Sequence, residues 1–409
     1  MSLATPLAPP AGPAAVPPPR PGRALTVVLV TDSYLPRLGG IELHVRDLAG
    51  RLAAQGHHVR VVTATGGPGT AAADPFVVHR LQPAGAPGPV DPALWRGADR
   101  AGLTRAVADA DVVHVHSSVV SPLAWAAARA AHLAGVPAVV TVHSMVPLGT
   151  GVALAAALHP RWVGEVRWTA VSEAVAAPLR RLTGRPVAVL HNGVDPVPWR
   201  GGPPAAGSSG AFTVVSAGRF TARKRVIPLV RVLRSVRARV PADVPLRAVL
   251  VGDGPQHAAV AAAVTRLGMA DWVELPGRTT RDGLARCFAA ADAYVAPAVW
   301  ESFGLAALEA RCAGLPVAGR AGSGLAEFVA DGVEGRLARD DRDLARVLAG
   351  WAVDRAEVGR LARHNAATLP SVTWDRVLPA TLAAYRAAGA GAGVPGARRT
   401  RRELPVLAS

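Results

Sequence analysis

Residues 294–318 read YVAPAVWESFGLAALEARCAGLPVA. The pattern is an apolar strand end, a tight loop, a short helix and the start of another strand. Pro297 has no N–H for a ladder, so it stops the strand formed by Tyr294, Val295 and Ala296. Ser302 is suited to cap the next helix, expected over residues 303–312 and roughly 15 Å long. Gly314 stands where a helix end takes a left-handed residue, and Pro316 blocks continuation. Free N–H groups and the positive dipole at the helix start favour an anion, which Gly304 lets approach the backbone. Glu301 precedes the helix, and Glu309 follows eight residues later, within it. Carboxylates are poor phosphate ligands but good acceptors from sugar hydroxyls. An anion site between two such acids points to a nucleotide sugar. In isolation the stretch also reads as an ordinary strand–helix–strand unit with two solvated glutamates.

The same alternation runs through the whole chain. Residues 25–31 (LTVVLVT) are a continuous apolar run, hence a buried parallel strand. A glycine-containing loop, 32–40, leads into a helix over 41–55 that Gly56 ends. Further strands are expected at 58–63, 77–81, 112–116, 138–143, 168–171 and 187–190, with helices at 122–133 and 173–182. Strands alternating with helices specify a doubly wound parallel sheet, whose ligands bind at the carboxyl ends of the strands. Residues 196–211 (PVPWRGGPPAAGSSGA) break the pattern and read as a linker. A second alternation follows, with strands at 212–217, 246–251, 273–275, 293–296 and 317–318, then helices between 343 and 366. The expected organisation is an α/β chain of two Rossmann-like domains, 24–195 and 212–370, facing across a cleft. Residues 1–23 read as a disordered Pro/Ala-rich tail, 371–388 as a terminal helix, and 389–409 as a basic mobile tail.

At 409 residues the chain exceeds one typical core, and at 50% hydrophobic it can fill two. Its two cysteines, Cys287 and Cys312, make no disulfide framework or metal cluster and read as buried, inert thiols. No signal peptide is legible, and no run of 18 uncharged apolar residues exists. The nearest, 122–142, contains Arg129, His132 and Pro137. A cytoplasmic protein is expected, in peripheral contact with the inner face of the membrane at most. The formal net charge is +16, yet of 45 basic residues Lys224 is the one lysine. Such a bias reflects a GC-rich genome and singles that lysine out. The charge favours anionic partners, phosphates or an anionic membrane surface. With 4% aromatics and no nucleic-acid-binding motif, nucleic acid is not an expected partner.

Four loops carry the remaining signal. Residues 217–224 (AGRFTARK) follow the first strand of the second half, and the turn at Gly218 throws Arg219 and Lys224 onto the strand's carboxyl end. A guanidinium fork and a compact ammonium both suit phosphate there. Gly252, Asp253 and Gly254 form another strand-to-helix turn, and residues 275–278 (LPGR) a third, ending at Arg278. Residues 36–44 (PRLGGIELH) open the first helix, where Gly39 and Gly40 let backbone amides reach a phosphate oxygen. His114 and His116 share one face of a strand. With no third ligand at a fitting spacing, they read as core or cleft-edge histidines rather than metal ligands. His143 ends a strand at the cleft, and Asn192 and Gly193 stand where the two halves join.

Glu301-x7-Glu309 with Ser302-Phe303-Gly304 between, closed by AGLPV, resembles the signature of the family-4 retaining glycosyltransferases of the GT-B fold. The resemblance spans about residues 25–388. It implies that Glu301 holds hydroxyls of the donor sugar and Glu309 those of the ribose. The backbone of Phe303, Gly304 and Leu305 would meet the sugar or diphosphate. Gly218, Arg219 and Lys224 match the loop that holds the diphosphate and stabilises it as leaving group. Gly252 and Asp253 match the family's Gly-Asp-Gly-Pro, and Arg278 lies in the loop that cups the base. Gly39 and Gly40 match the Gly-Gly-x-Glu loop between donor phosphate and acceptor, and His143 the residue that touches the donor sugar. Asn192 and Gly193 look like hinge residues, and the last helix would cross back onto the first half. Arg225 replaces a common glycine, His191 a commoner proline, and Gly322 and Gly324 are split where the family more often has adjacent glycines.

The implied activity is transfer of a hexose from a nucleoside-diphosphate sugar to an acceptor hydroxyl, on a lipid or polysaccharide precursor. It would proceed with retention and without metal or cofactor. Arg219, Lys224, Glu301 and His143 are the expected catalytic residues, and the leaving phosphate would take the acceptor's proton. A nucleotide-sugar epimerase of the same fold is one alternative, though further acid/base carboxylates are not assignable. A non-catalytic sugar-nucleotide-binding protein is another, and it should lack Arg219, Lys224 or Glu301. Arg37, Arg46, Arg51 and Arg60 beside the glycine-rich opening offer a basic face to an anionic membrane.

Overall fold

The computed structural model describes residues 23–67, 74–81, 98–118, 121–145, 166–200 and 210–391. The N-terminal tail up to residue 22, the linker centre at 201–209 and the basic end from 392 lie outside them.

The apolar runs pair as parallel strands. β1 (Thr26–Thr31), β2 (His58–Thr63), β3 (Val77–Arg80), β4 (Val112–Ser117), β5 (Ala138–Val142), β6 (Arg167–Ala170) and β7 (Val187–Val189) form one sheet, ordered β3-β2-β1-β4-β5-β6-β7. Every residue of β4 and β5 is buried, as a sheet covered on both faces requires. Helix α1 (Gly40–Ala54) lays Val45, Leu48, Ala49 and Leu52 on it at one-face spacing. Helices α2 (Ala98–Ala108), α3 (Pro122–Leu133) and α4 (Glu173–Thr183) supply the other crossovers.

The second sheet contains β8 (Phe212–Ala217), β9 (Leu246–Val251), β10 (Val273–Gly277), β11 (Ala293–Val295), β12 (Val317–Arg320) and β13 (Gly335–Ala338), ordered β10-β9-β8-β11-β12-β13. The sequence reading does not contain β13, whose four residues GRLA are too short and too polar to show a strand period. It forms because Gly335 fits flush on its neighbour, where a Cβ would fall 1.9 Å from the Val317 carbonyl oxygen. Helices α5 (Val226–Arg237), α6 (His257–Arg266), α7 (Arg281–Ala289) and α8 (Leu305–Cys312) alternate with these strands, and α9 (Asp341–Val353) and α10 (Arg355–Ala367) follow them.

The last helix, α11 (Trp374–Ala387), packs on the first sheet's side of the molecule. Trp374, Val377, Leu378 and Tyr385 share a buried cluster with Val27, Leu29, Val45 and Leu48. Its entry is tied to the residue-194 segment by paired backbone hydrogen bonds, Val194 to Val372 and Trp374 to Val194. Gly193 lies so close that a Cβ would meet the Trp374 ring at 2.4 Å. Strand order reverses between β1 and β4 and between β8 and β11, and the loops beyond those strands define the crevice of each sheet. Among the described residues, no helix is long and apolar enough to cross a membrane.

Candidate active site

The 3₁₀ turn Ala222–Lys224 after β8 and the loop after β11 bring Lys224 and Glu301 together, Nζ to Oε2 at 2.6 Å. The Glu301 side chain is 13% exposed and that of Lys224 40%, so the pair sits at a rim with the acid on the inner side. Arg219 reaches across and donates to the Leu38 carbonyl of the loop before α1. Gly40 meets the start of α8, where a Cβ on it would lie 3.3 Å from Leu305 Cδ1. Gly39, Gly40, Arg219 and Leu305, far apart in the chain, therefore converge.

The three loops beyond β8, β9 and β10 are laced by backbone hydrogen bonds, Gly218 N–H to Val251 and Gly252 N–H to Gly277. Gly252 has φ 142°, and a Cβ there would fall 1.9 Å from the Gly218 carbonyl oxygen. Gly252→Ala is expected to destabilise the protein by about 1–3 kcal/mol or more, read as a lower denaturant midpoint. An unchanged midpoint would show that the loop relaxes without strain. Asp253 accepts from the Gly254 N–H at 2.7 Å, and its other oxygen lies 3.8 Å from the exposed Arg278 guanidinium.

Glu309 is enclosed on α8, 3.8 Å from Arg281, and burial pushes its pKa up to about 7 against the pull of that arginine. Arg281 also reaches Asp47 of α1 at 3.4 Å. Glu301 and Glu309, their side chains equally enclosed, thus differ in their cation: one holds it at hydrogen-bond distance, the other has it 3.8 Å away.

Helix α8 begins at Leu305, two residues later than expected, and Ser302 does not cap it. The Ser302 hydroxyl instead accepts from the Met145 N–H and the Arg223 guanidinium, both at 3.0 Å, and Ser172 donates to its carbonyl. Partners from outside the helix, Arg223 of the turn after β8 and Met145 and Ser172 beyond strands of the other sheet, outcompete the helix end. Gly304 takes the N-cap at φ 92°, with Leu325 2.6 Å from where a Cβ would stand. Phe303 is buried against Phe328 and His191, so only its backbone is available to a ligand.

The departures from the family pattern find local accounts. Arg225 adopts the left-handed conformation that glycine would take, φ 56°, and pairs with Asp341, which Arg320 also holds. Gly324 packs on Ser302, a Cβ there meeting the Ser302 carbonyl oxygen at 2.1 Å, and its N–H donates to the Glu301 carbonyl. His191 bonds Glu327 at 2.8 Å, and the same carboxylate accepts from the Glu173 N–H. Burial pushes the Cys312 thiol up to about 12. Arg46, Arg51 and Arg60 are each paired, with Asp74, Asp195 and Asp109, while Arg37 reaches Ser33. Three of the four arginines expected to form a basic face thus already hold a carboxylate.

His143 stands beyond β5 in company that the sequence reading missed. Its Nε2 lies 3.0 Å from His116 Nδ1, and the ring of His44 packs 5.5 Å from it and 5.7 Å from His116. Trp374 stacks on the far side of His44 at 5.3 Å. His114 completes the group, bonded to Tyr385 and Thr141. Burial drives all four imidazoles far below the usual histidine range, His44 and His114 to about 3. His44 was legible in principle, since it shares the buried stripe of α1 with Leu48 and Leu52. Among the described residues, no three His, Cys, Asp or Glu side chains form a group that could hold a metal ion.

Residues 38–197 match the family model described as Glycosyltransferase Family 4, and residues 211–352 match Glycosyl transferases group 1. Over 389 residues the chain is 32% identical to the D-inositol 3-phosphate glycosyltransferase of Stackebrandtia nassauensis, covering 85% of this chain and 86% of that one. The chain belongs to glycosyltransferase family 4. This glycosyltransferase is also 30% identical over 398 residues to the D-inositol 3-phosphate glycosyltransferase of Streptomyces avermitilis, covering 86% and 83% of the two chains. It shares the GT-B fold of Anabaena Alr3699/HepE, solved with UDP-glucose (TM-score 0.69, 20% identity, 89% and 99% covered). The same holds for WaaG, a glycosyltransferase involved in lipopolysaccharide biosynthesis (TM-score 0.66, 19% identity, 89% and 100% covered). These relatives are glycosyltransferases, which leaves the epimerase alternative without support.

Proposed function

We propose that this glycosyltransferase moves a hexose from a nucleoside-diphosphate sugar to an acceptor hydroxyl, with retention at the anomeric carbon and without a metal ion. The observation that carries the reading is the Lys224–Glu301 contact at 2.6 Å, a cation beside a hydroxyl acceptor at the carboxyl ends of β8 and β11. Negative charge grows on the diphosphate as the glycosidic bond breaks. Lys224 and Arg219 are the fixed cations that meet it, and such preorganised charge is the chief catalytic device for this chemistry. Glu301 takes sugar hydroxyls, Glu309 ribose hydroxyls, and His143 a sugar oxygen. Gly39, Gly40, Gly218, Gly252, Asp253, Arg278 and the backbone of Phe303, Gly304 and Leu305 line the donor. The leaving phosphate accepts the acceptor's proton on the same face. The solved neighbour with UDP-glucose and the relatives named for D-inositol 3-phosphate supply the first substrates to try.

The test is a thermal-shift screen of nucleotide sugars, followed by incubation of the stabilising donor with D-inositol 3-phosphate and other polyols. Glycosylated product with the donor's anomeric configuration, formed equally with a chelator present, is the expected result. Inverted product, or hydrolysis or epimerisation without transfer, would refute it.

Donor binding should depend on pH through Glu309, whose carboxyl titrates at about 7. The ionised form accepts two hydroxyls, so the donor KM should fall as pH rises through that value. Between pH 8 and pH 6 the KM is expected to rise about tenfold, one pH unit below the pKa weakening binding by roughly that factor. Glu309→Gln should flatten this dependence; a wild-type KM constant from pH 6 to pH 8 would remove Glu309 from the ribose.

A further inference from the structure

We infer that His116 is a positioning residue for His143, holding it in the tautomer that carries its proton on Nδ1 and so presents an N–H donor to the cleft. The inference rests on the reading of His143 as a site residue and adds which of its nitrogens works and why. His143 is anchored by its own N–H, which donates to the Ser117 carbonyl at 2.8 Å. Its ring is anchored by the 3.0 Å contact between His143 Nε2 and His116 Nδ1, where one nitrogen must donate and the other accept.

The direction follows from the other side of His116. Among the described residues its Nε2 is enclosed with no hydrogen-bond partner, whereas neither nitrogen of His143 is such a buried orphan. A buried N–H without an acceptor is the rarer and costlier orphan, so Nε2 is the bare nitrogen and the proton sits on Nδ1. Nδ1 then donates to His143 Nε2, and His143 carries its own proton on Nδ1. His114 cannot relay a different answer, because its tautomer is set independently. Thr169 donates to the Val140 carbonyl, so it accepts from Thr141, which accepts from His114 Nε2, and Tyr385 donates to His114 Nδ1. Burial and mutual repulsion keep the whole group neutral near pH 7. With Nε2 occupied and Nδ1 protonated, His143 has no lone pair for the acceptor's proton. It donates to a sugar oxygen and does not act as base.

Long-range ¹H–¹⁵N correlation on wild-type protein labelled at histidine reads the tautomer directly, the His143 signal being the one lost in His143→Ala. The expected pattern is a protonated Nδ1 and a bare Nε2 at pH 7; a protonated Nε2 on His143 would overturn the inference, whatever any variant does. Kinetics supply the second arm. His116→Leu should lower kcat by about 100-fold, the loss expected when a reacting-centre group is misplaced, and should shift the His143 signal towards a tautomer mixture. His116→Asn, with an amide N–H near the place of Nδ1, should restore most of that loss while the donor KM stays near wild type. If His143→Ala turns over normally, the site reading itself fails. If His143→Ala is impaired but His116→Leu keeps wild-type kcat and an unmixed His143 signal, the positioning role alone fails.

Discussion

Lys224→Ala should lower kcat by about 100- to 1000-fold, the usual loss when one preorganised electrostatic donor is removed from a site of developing charge. The geometry sharpens the expectation. Lys224 is bonded to Glu301 at 2.6 Å, so its removal leaves a mostly enclosed carboxylate uncompensated where the diphosphate is proposed to sit. That carboxylate opposes the growing negative charge as well as failing to stabilise it. Lys224 itself is 40% exposed, so its truncation opens no cavity in the core and the variant should fold. Lys224→Arg should recover only part of the activity, since a planar fork does not fit the place of a point charge. The effect should fall on kcat, because the charge develops in the transition state. Adding Arg219→Ala, which also frees the Leu38 carbonyl, should raise the donor KM too. Wild-type kcat and KM in Lys224→Ala would end the diphosphate assignment.

Acid should unfold this protein early. His44, His114, His116 and His143 are neutral in the fold, with pKa values driven below the 6.5 they regain on unfolding. Below about pH 6.5 the unfolded chain therefore binds protons that the fold refuses, and each such proton removes about 1.4 kcal/mol of stability per pH unit. Three carboxyls act in the opposite sense. Burial raises Asp32 to about 6 and Glu309 to about 7, and also raises Glu42, so the fold takes up their protons sooner than the unfolded chain does. The four histidines outnumber them. The net loss should be roughly 2–3 kcal/mol per pH unit between pH 6 and pH 4. Over those two units the loss is about 4–6 kcal/mol, enough to bring a fold at the lower end of the typical 5–15 kcal/mol to its acid midpoint near pH 4. Urea melts at half-unit pH steps give the slope; equal stability at pH 7 and pH 5 would show that the cluster admits water and charges freely.

The strands and crossover helices were legible because parallel strands covered on both faces must be apolar throughout. Residues 58–63, 122–133, 212–217 and 246–251 were bounded in the sequence where the structure bounds them. Glycines at the ends of elements were equally legible, since Gly218 and Gly252 after strands and Gly304 before a helix stand at positive φ, which a residue with a Cβ rarely adopts. Glu301, Glu309, Arg219 and Lys224 could be picked out because carboxylate, fork and point charge each have one chemistry at such loops. Local pattern thus determined most of the elements, the fold class and the candidate residues. Contact between distant residues was decided by packing alone. Ser302 looks like a helix cap until Met145 and Arg223 arrive from elsewhere and claim its hydroxyl. Gly335 starts a strand only because Val317 leaves no room for a side chain. His44, His116 and His143 lie on one helix and at two strand ends, and no spacing in the chain relates them. A period encodes which face is buried, not what waits on the other side of it, so the histidine group exists only once α1 and α11 close over β4 and β5.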